Sequence, residues 1–405
     1  MVVRNILFFL LLICPLTLTA QDVGKHELLA EHIFSLLLHN QTDSLYALLA
    51  ENIKAQLPRE QLEGGLTRVE QMAGSYQRHG EWKHETSAHG DVWSSTLEFE
   101  QGQFSFVVVI DANGCIQGLR IMPMMNKQAV KDIPLPPDAV EVDDTVRTGT
   151  EIALPCSVVI SGRSTSPPIV VMVHGSGALD RNETVMANAP FLDLSRQLAE
   201  QGISSLRYDK RTAVYPETVS TMDDETILDA LSAISLARTY SNNVFLLGHS
   251  LGAMLAPEIA TRTNLQGIIM MAAPARDLSE VIDEQLSYLV PADSAESIKQ
   301  TTIEQLRQQS PHYLQPQHQV ETAQSLSLPM LIMQGGRDYQ VTMRDFDLWR
   351  DALEEHPRVL FADYPALNHL FLPGEGKSSP QEYATPGTIP AEVTDAIAKF
   401  ITSQQ

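Results

Sequence analysis

The stretch Asn243-Val244-Phe245-Leu246-Leu247-Gly248-His249-Ser250-Leu251-Gly252 decides the fold of this chain. Its apolar part, Val244 to Leu247, is typical of a buried strand, and the residues from Met254 to Thr261 favour a helix. Between them stands the pattern G-x-S-x-G, whose glycines allow a turn too tight for flanking side chains. The sequence therefore predicts a strand, a sharp turn and a helix, with the Ser250 hydroxyl at the tip of the turn.

By itself this pattern is weak, because an inert serine in a glycine-containing turn would produce the same letters. A second strand pattern, Ile169 to Val173, is followed by His174-Gly175-Ser176-Gly177. Small residues there let backbone N–H groups face a pocket, and a tetrahedral oxyanion needs two such donors. We assign the oxyanion hole to the main-chain N–H groups of Ser176 and Leu251. We expect His174 to support the loop rather than to take part in the chemistry.

The candidate acid follows a third strand pattern, Met330 to Met333. Directly after it the glycine turn Gly335-Gly336-Arg337-Asp338 places Asp338 where it can accept a hydrogen bond from a histidine ring. An aspartate in such a turn can equally cap the helix that follows. Asp277 is an alternative acid, since it also follows a strand pattern, but it lacks the glycine turn.

The candidate base is His369, one of twelve histidines, and it follows the last predicted strand, Arg358 to Phe361. Ser250, Asp338 and His369 stand in the order that is expected for a serine triad on an α/β sheet. The chemistry needs all three, because a serine hydroxyl is a poor nucleophile until an imidazole takes its proton, and a carboxylate holds the imidazole in the required tautomer.

These motifs give the chain a resemblance to a known family. It resembles bacterial α/β-hydrolases of the secreted carboxylesterase type, and in particular a subgroup with a small N-terminal α+β domain of the nuclear-transport-factor-like kind. The segments that carry the resemblance are HGSGALDRNET from His174, RYDKR from Arg207, GHSLG from Gly248, GGRD from Gly335 and NHLF from Asn368. Ala253 departs from the pattern, since many relatives have a third glycine there.

The resemblance implies the fold class and the reaction. It implies an α/β-hydrolase fold, with a mostly parallel central sheet flanked by helices and a helical cap insertion. It also implies a serine esterase that cleaves small carboxylic esters through an acyl-enzyme. A peptidase or a thioesterase on the same machinery remains an alternative, as does a binding protein whose catalytic domain is vestigial.

Strand and helix patterns divide the 405 residues into domains. We predict an N-terminal α+β domain at residues 22–126, because helical patterns precede strand patterns there. The third of these helices is expected around Arg59 to Gln77. A proline-containing linker at residues 127–139 leads to the catalytic domain at residues 140–403. Within it, residues 277–326 interrupt the alternation of strands and helices with amphipathic helices. We interpret this insertion as a cap that shapes the pocket, with a peripheral helical decoration as the alternative.

The N-terminus predicts export. Arg4, the apolar run from Ile6 to Leu18 and the small residue Ala20 before Gln21 are typical of a signal peptide over residues 1–20. The run is too short for a convincing membrane span. We therefore expect a secreted or periplasmic protein without stable membrane insertion. In an oxidising compartment Cys115 and Cys156 could pair, but they fall in different predicted domains.

Charge and composition limit the partners. The chain has 28 basic and 50 acidic residues, a formal net charge of −22, which disfavours binding to nucleic acid and to anionic membranes. The sequence contains no recognisable metal-ligand cluster or phosphate-binding loop, so we expect no metal and no cofactor, and a small-molecule ester as the partner. Two charged clusters, residues 180–183 and 209–211, lie where sites gather in open sheets, but an ion-pair network holding loops is the preferred interpretation.

Overall fold

The computed structural model describes residues 20–54, 59–62, 64–87, 90–100, 102–123, 133–289 and 292–404. The chain divides into two units between Asn126 and Lys127. The predicted signal peptide lies outside the described residues except for Ala20, and so do residues 127–132 of the predicted linker, so both stay predictions of the sequence.

The first unit combines helices with an antiparallel sheet. Its helices are α1 (Ala20–Leu38), α2 (Thr42–Ala47), α3 (Glu51–Lys54), α4 (Arg59–Leu62) and α5 (Gly65–Ala73), and its strands are β1 (Tyr76–His79), β2 (Lys83–Ser87), β3 (Gly90–Phe99), β4 (Gly102–Ile110) and β5 (Ile116–Pro123). The sheet has five strands in the order β1-β3-β4-β5, with β2 also paired to β3. Helices before an antiparallel sheet make this an α+β arrangement, as the patterns predict.

The burial of side chains along these strands explains why the sequence pattern could predict them. Side chains of β3 alternate between buried and half-buried positions along its whole length, since successive residues point to opposite faces.

One prediction was wrong: the single helix expected over Arg59–Gln77 is two helices followed by strand β1. The break falls at Gly64, whose φ of +66° suits glycine and cannot continue a helix.

The second unit contains eight strands and nine α-helices among the described residues. The strands are β6 (Ala139–Thr148), β7 (Ile152–Ser161), β8 (Ile169–Val173), β9 (Ser204–Tyr208), β10 (Val244–His249), β11 (Gly267–Met271), β12 (Met330–Gly335) and β13 (Val359–Tyr364). The helices are α6 (Pro190–Glu200), α7 (Arg211–Val214), α8 (Leu228–Ala237), α9 (Leu251–Thr261), α10 (Leu278–Leu289), α11 (Ala292–Gln309), α12 (Gln319–Ser325), α13 (Met343–Leu353) and α14 (Ala391–Thr402).

The sheet of the second unit runs in the order β13-β12-β11-β10-β8-β9-β7-β6. Strands β8 to β13 are parallel, and β6 and β7 form an antiparallel hairpin at one edge. The chain leaves β8 toward β9 on one side and returns to β10 on the other. Such a switch point opens a crevice at the carboxyl ends of the two central strands. The segments after β8 and β10 begin at this crevice.

Both faces of the sheet are covered, which explains the continuous apolar runs in its strands. Alternate residues of β8 belong to two separate hydrophobic clusters, Ile169 and Val171 to one and Val170 and Met172 to the other. Side chains of α8, α9 and α13 complete the first cluster, and side chains of α6 and α14 complete the second. The sheet is therefore the middle of three layers, and the packing on both faces holds the carboxyl ends of its strands in place.

The interruption predicted at residues 277–326 is helical. It follows β11, which is the sixth strand of this unit, and contains α10, α11, a 3-10 turn at Pro311–Leu314 and α12.

Cys115 and Cys156 are both free thiols. Within the described ranges, no helix combines the length and the apolar character needed to span a bilayer.

A buried ion pair attaches the start of this insertion to α13. The Asp345 carboxylate, which is not exposed at all, accepts hydrogen bonds from the backbone N–H groups of Ala275 and Arg276 and from the Arg276 guanidinium. Removing one member of a buried pair leaves an uncompensated charge, which is costly. Asp347 offers a matched control, because it lies on the same helix and its pair with Arg350 is exposed.

We expect Asp345→Ala to lower the free energy of unfolding by about 3–5 kcal/mol. Asp347→Ala should lower it by less than about 1 kcal/mol, because exposed ion pairs contribute little. Urea unfolding, followed by the fluorescence of the tryptophans, measures both. Equal effects of the two substitutions would contradict the role given to Asp345.

Candidate active site

The turn between β10 and α9 has the geometry that the G-x-S-x-G pattern predicts. Ser250 has a φ of +53° and a ψ of −116°, a conformation that is rare and strained for a residue with a side chain. Its N–H donates to the Met271 carbonyl oxygen over 2.9 Å, and its carbonyl oxygen accepts from Met254 N–H, also over 2.9 Å. These bonds connect the strained residue to the end of β11 and to the first turn of α9.

The two glycines of the pattern allow close backbone approach. A Cβ atom at Gly248 would overlap the Gly252 carbonyl oxygen, and one at Gly252 would overlap the Val173 carbonyl oxygen at the end of β8. Both overlaps are with backbone, which cannot move aside as a flexible side chain can. The start of α9 therefore packs directly on the segment after β8 only because both positions lack a side chain. Ala253 is fully buried without strain in its place next to them.

The predicted acid and base are hydrogen-bonded to each other. His369 Nδ1 lies 2.7 Å from Asp338 Oδ2, and both side chains are buried. The other carboxylate oxygen, Oδ1, accepts from the N–H groups of Gln340 and Val341 at 2.8 and 3.0 Å, and Gln334 donates to Oδ2 at 3.1 Å. Because the carboxylate only accepts, His369 carries its proton on Nδ1, which leaves Nε2 as a lone-pair acceptor.

The turn that carries Ser250 lies beside this pair. The ring of His249, the residue before it, stands 4.7 Å from the ring of His369, and His249 Nε2 lies 2.8 Å from the His369 carbonyl oxygen. Among the described residues no hydrogen bond joins the Ser250 hydroxyl to His369. Such bonds are often long in unliganded enzymes and shorten when substrate binds. The elements that carry the three side chains thus meet at one edge of the sheet.

Asp277, the alternative acid, has a different position. It lies directly before α10, where its carbonyl oxygen accepts from the N–H groups of Glu280 and Val281. Of the two aspartates, only Asp338 is hydrogen-bonded to a histidine in the part of the chain that is described. The glycine turn after β12 was therefore the more informative signal.

Two hydrogen bonds at Gly175 hold the loop after β8, which lies against the turn that carries Ser250 (the nucleophile turn). Gly175 N–H donates to Glu183 over 2.7 Å, and the Gly175 carbonyl oxygen accepts from Lys210 Nζ over 2.6 Å. A Cβ atom at Gly175 would lie 3.2 Å from that of Ser250. In the described structure, the N–H groups of Ser176 and Leu251, our two predicted oxyanion donors, have no intramolecular acceptor. They are therefore available to a ligand.

His174 has the supporting role that the sequence suggests. Its ring packs between Phe191 and Tyr208, with both ring centroids 5.2 Å away, and its Nε2 donates to the Asp180 carbonyl oxygen over 3.0 Å. Burial lowers the pKa of His174 to about 4, so the ring is neutral. Its Nδ1 atom is buried without a hydrogen-bond partner among the described residues.

The two charged clusters form an ion-pair network, as expected. Arg181 bonds Asp209 from its Nε and its backbone N–H, over 3.1 and 2.8 Å. Arg207 is buried against Asn182 and Glu141, and Arg211 pairs with Asp229 over 2.8 Å. These contacts connect the loops after β8 and β9 to each other.

The sequence did not reveal a connection between the helical insertion and the loop after β8, which carries Ser176 (the oxyanion loop). Glu225 is 2% exposed and accepts from three groups: Lys210 Nζ at 2.7 Å, Tyr313 Oη at 2.6 Å and His312 Nε2 at 2.9 Å. His312 and Tyr313 belong to the 3-10 turn at Pro311–Leu314. Lys210 also bonds the Gly175 carbonyl oxygen. The contacts join residues up to 138 positions apart in sequence (175 and 313), and no local pattern encodes such a pairing.

No group of three or more histidine, cysteine, aspartate or glutamate side chains suitable for a metal ion occurs within the described ranges. The arrangement that is present consists of a nucleophile turn, a carboxylate–imidazole pair and two unpaired backbone donors. That combination, on a mostly parallel eight-stranded sheet, defines the α/β-hydrolase class.

Comparison with known proteins identifies the family within this class. The chain is similar to esterase EstD of Thermotoga maritima, with 34% identity over 384 residues that cover 89% of this chain and 91% of that protein. It therefore belongs to the α/β-hydrolase carboxylic ester hydrolases. Residues 30–119, within the first unit, match a family described as a protein of unknown function, DUF3887.

Solved structures with similar folds include other hydrolases. An esterase of Pyrococcus furiosus, Pf2001, has a TM-score of 0.47 and 16% identity, covering 65% of this chain and 91% of that chain. Est1E of Butyrivibrio proteoclasticus has a TM-score of 0.43 and 14% identity, covering 65% and 98%. A proline iminopeptidase of Mycobacterium smegmatis has a TM-score of 0.45 and 16% identity, also covering 65% and 98%.

The Glu225 network makes the stability of the protein depend on pH. Burial would raise the pKa of Glu225, but Lys210, His312 and Tyr313 outweigh it and lower the pKa to about 2, from an ordinary value of 4.5. A carboxylate whose pKa is lower in the folded state stabilises that state above its unfolded pKa. The stabilisation is lost as the pH falls toward the folded pKa.

We expect Glu225→Gln to lower the free energy of unfolding by about 3 kcal/mol above pH 4.5, with the difference shrinking as the pH falls toward 2. Urea titrations of both proteins between pH 2.5 and pH 7 measure it. Glu217→Gln, an exposed control, should change the free energy by less than about 0.5 kcal/mol throughout. A Glu225→Gln effect that does not vary with pH would contradict the ionised network.

Proposed function

We propose that this protein hydrolyses small carboxylic esters through an acyl-enzyme. Ser250 is the nucleophile, His369 is the general base and then the general acid, and Asp338 orients His369. The N–H groups of Ser176 and Leu251 stabilise the oxyanion. The observation that supports the proposal most strongly is the 2.7 Å hydrogen bond between Asp338 and His369, next to the strained nucleophile turn.

In the first half of the reaction, Ser250 Oγ attacks the ester carbonyl carbon while its proton moves to His369 Nε2. The carbonyl oxygen becomes negatively charged and accepts hydrogen bonds from the two backbone N–H groups. His369 is then an imidazolium, and the Asp338 carboxylate stabilises it without taking its proton. The tetrahedral intermediate breaks the bond to the leaving alcohol, which takes the proton from Nε2.

In the second half, water replaces the alcohol. His369 Nε2 takes a proton from the water, whose oxygen attacks the acyl carbon and forms a second tetrahedral intermediate. Its collapse breaks the bond to Ser250 Oγ, which regains the proton, and the carboxylic acid is released. All groups needed for these steps are side-chain or backbone atoms of this chain.

The helical insertion is proposed to shape the acyl or alcohol pocket as a cap. Two observations support this. The insertion follows β11, next to the strand that carries the nucleophile turn. Its 3-10 turn is also hydrogen-bonded, through Glu225 and Lys210, to the loop that carries Ser176. A series of three hydrogen bonds thus joins Tyr313 of the insertion to the loop that carries Ser176.

Export to the periplasm or the medium is also proposed, on the sequence of residues 1–20. A basic residue, an apolar run and a small residue before the cleavage position stand in the order that export signals require.

Ser250→Ala should abolish ester hydrolysis while leaving the fold intact, because the hydroxyl is the attacking group. We expect the wild type to hydrolyse p-nitrophenyl acetate much faster than an aminoacyl p-nitroanilide or an acyl thioester, each measured spectrophotometrically. A fluorophosphonate probe should label the wild type and leave Ser250→Ala unlabelled. Labelling of that variant, or a faster reaction with the anilide or the thioester, would overturn the assignment of nucleophile or substrate.

Asp338→Asn should lower kcat by roughly three to four orders of magnitude, since an amide can favour the wrong imidazole tautomer. Asp277→Asn is the control and should stay within about twofold of the wild type, because only the Asp277 backbone is engaged with α10. Steady-state kinetics with p-nitrophenyl acetate compares them. Near-normal activity of Asp338→Asn together with loss in Asp277→Asn would assign the acid to Asp277.

A further inference from the structure

A second buried histidine–carboxylate pair lies directly behind the proposed catalytic groups. His249 is the last residue of β10 and precedes Ser250, and Glu183 belongs to the loop between β8 and α6. His249 Nδ1 lies 3.1 Å from Glu183 Oε1. His249 is 5% exposed and Glu183 is 1% exposed. The reaction described above uses neither side chain.

Both ring nitrogens of His249 face acceptors. Nδ1 faces the Glu183 carboxylate, and Nε2 faces the His369 carbonyl oxygen at 2.8 Å. A carbonyl oxygen and a carboxylate accept hydrogen bonds and cannot donate them. Both contacts are therefore hydrogen bonds only if His249 carries two protons, or if Glu183 holds the proton between them. The pair shares one proton more than a neutral imidazole and a carboxylate would have.

The pKa directions locate that proton. Burial would raise the pKa of Glu183, but His249 and the other donors around it outweigh burial and lower the pKa. Burial would lower the pKa of His249, but Glu183, the His369 carbonyl oxygen and Asp338 outweigh burial and raise it. Both directions favour an imidazolium beside a carboxylate.

The other titratable groups around the pair come from four segments. His174, after β8, faces the Glu183 side, and the charge of Lys210, after β9, acts on His174. Asp338, after β12, and His369, after β13, face the His249 side. His174 is neutral, and Lys210 is paired with Glu225. The nearest unlike charge to the His249 ring is thus the Glu183 carboxylate.

The pair connects the three segments that carry the proposed reaction. Glu183 Oε1 accepts from Gly175 N–H at 2.7 Å, next to Ser176 in the oxyanion loop. His249 adjoins Ser250 in the chain, and its Nε2 holds the backbone of His369. A displacement of either side chain therefore moves an oxyanion donor, the nucleophile or the base.

Glu183 is itself held in an unusual conformation. Its φ is +54°, in the left-handed region that a residue with a side chain seldom adopts. The Asp180 carboxylate maintains the turn by accepting from the N–H groups of Asn182 and Thr184 at 3.1 and 3.0 Å. Strained residues persist only where surrounding contacts impose the conformation, and they concentrate at functional sites.

We propose that Glu183 and His249 are positioning residues for the proposed acyl transfer, acting as an ion pair that fixes the oxyanion loop, the nucleophile turn and the histidine loop relative to one another. The inference rests on the proposed roles of Ser250 and His369. Neither member of the pair touches the substrate, so the pair acts through the groups it holds.

The protonation of His249 can be measured in the unmodified full-length protein. In ¹⁵N NMR of histidine-labelled protein at pH 7, we expect one buried histidine with both ring nitrogens protonated, assigned by the loss of its signals in His249→Gln. A neutral His249 ring at pH 7 would overturn the ion pair. This measurement does not require an active variant.

Glu183→Gln tests the positioning role, since it keeps the size of the side chain and removes the charge. We expect kcat for p-nitrophenyl acetate to fall roughly tenfold to a hundredfold, because small misplacements of reacting groups have effects of this size. KM should stay within about twofold. On the alkaline side of the pH profile, activity should fall at a lower pH than in the wild type. The reason is that the His249 imidazolium, without its carboxylate partner, loses its proton at a lower pH. The concentration of active sites is measured by labelling to completion with the fluorophosphonate probe, so that kcat is expressed per active site.

Asp91→Asn is the matched control. It also removes a buried carboxylate that pairs with histidine, since Asp91 bonds His26 and His84, but it lies on β3 of the first unit, which contains none of the three segments. We expect it to lower stability without changing kcat per active site or the alkaline side of the pH profile. If Glu183→Gln behaves in the same way, the pair is merely structural and the inference fails.

Failure of the inference and failure of the proposed function are distinguishable. Fluorophosphonate labelling of Ser250→Ala would refute the proposed nucleophile, whatever Glu183→Gln does. Labelling confined to proteins that contain Ser250, together with a normal kcat of Glu183→Gln, would refute only the positioning pair.

Discussion

The close approach of two backbone segments is the constraint on which the rest of the site depends. The start of α9 lies so near the end of β8 that a side chain at Gly252 would overlap the Val173 carbonyl oxygen. This contact holds Ser250 in a strained conformation at the carboxyl edge of the sheet and places the oxyanion loop against it. The sheet can impose this strain because apolar layers cover both of its faces, which leaves the central strands little freedom to relax.

Buried charges then fix the loops that the sheet alone would leave free. Three carboxylates, Glu183, Glu225 and Asp338, lie buried at this edge, and each is paired with a cationic or imidazole group from a different loop. An unpaired buried charge is costly, so each loop is stable only when its partner loop is in place. In the proposed reaction, these groups are therefore oriented before substrate binds and need no reorganisation.

The sequence predicted the parts of this site that depend on local chemistry. Glycine spacing around Ser250, and the glycine turn before Asp338, reflect backbone geometry, which is encoded within a few residues. The order of strands and helices also fixed the fold class. The Glu225 network and the Glu183–His249 pair could not be predicted in this way, because they join residues 87 and 66 positions apart. The split of the helix expected at Arg59–Gln77 was missed although the pair Gly64-Gly65 is itself a local turn signal, because the helical pattern on both sides was given more weight.

The paired charges lie close to the sheet, and few of their partners come from the helical insertion. Contacts of the Asp338–His369 pair and the Glu183–His249 pair come from segments that directly follow strands of the sheet, or from the loop after β8. The helical insertion reaches these segments through the Glu225 network, to which His312 and Tyr313 are its contributions among the described residues. A further residue of the insertion, Glu284 on α10, pairs with the buried Arg276. Under the proposed function, the residues that shape the pocket and the residues that carry the chemistry are therefore largely separate sets.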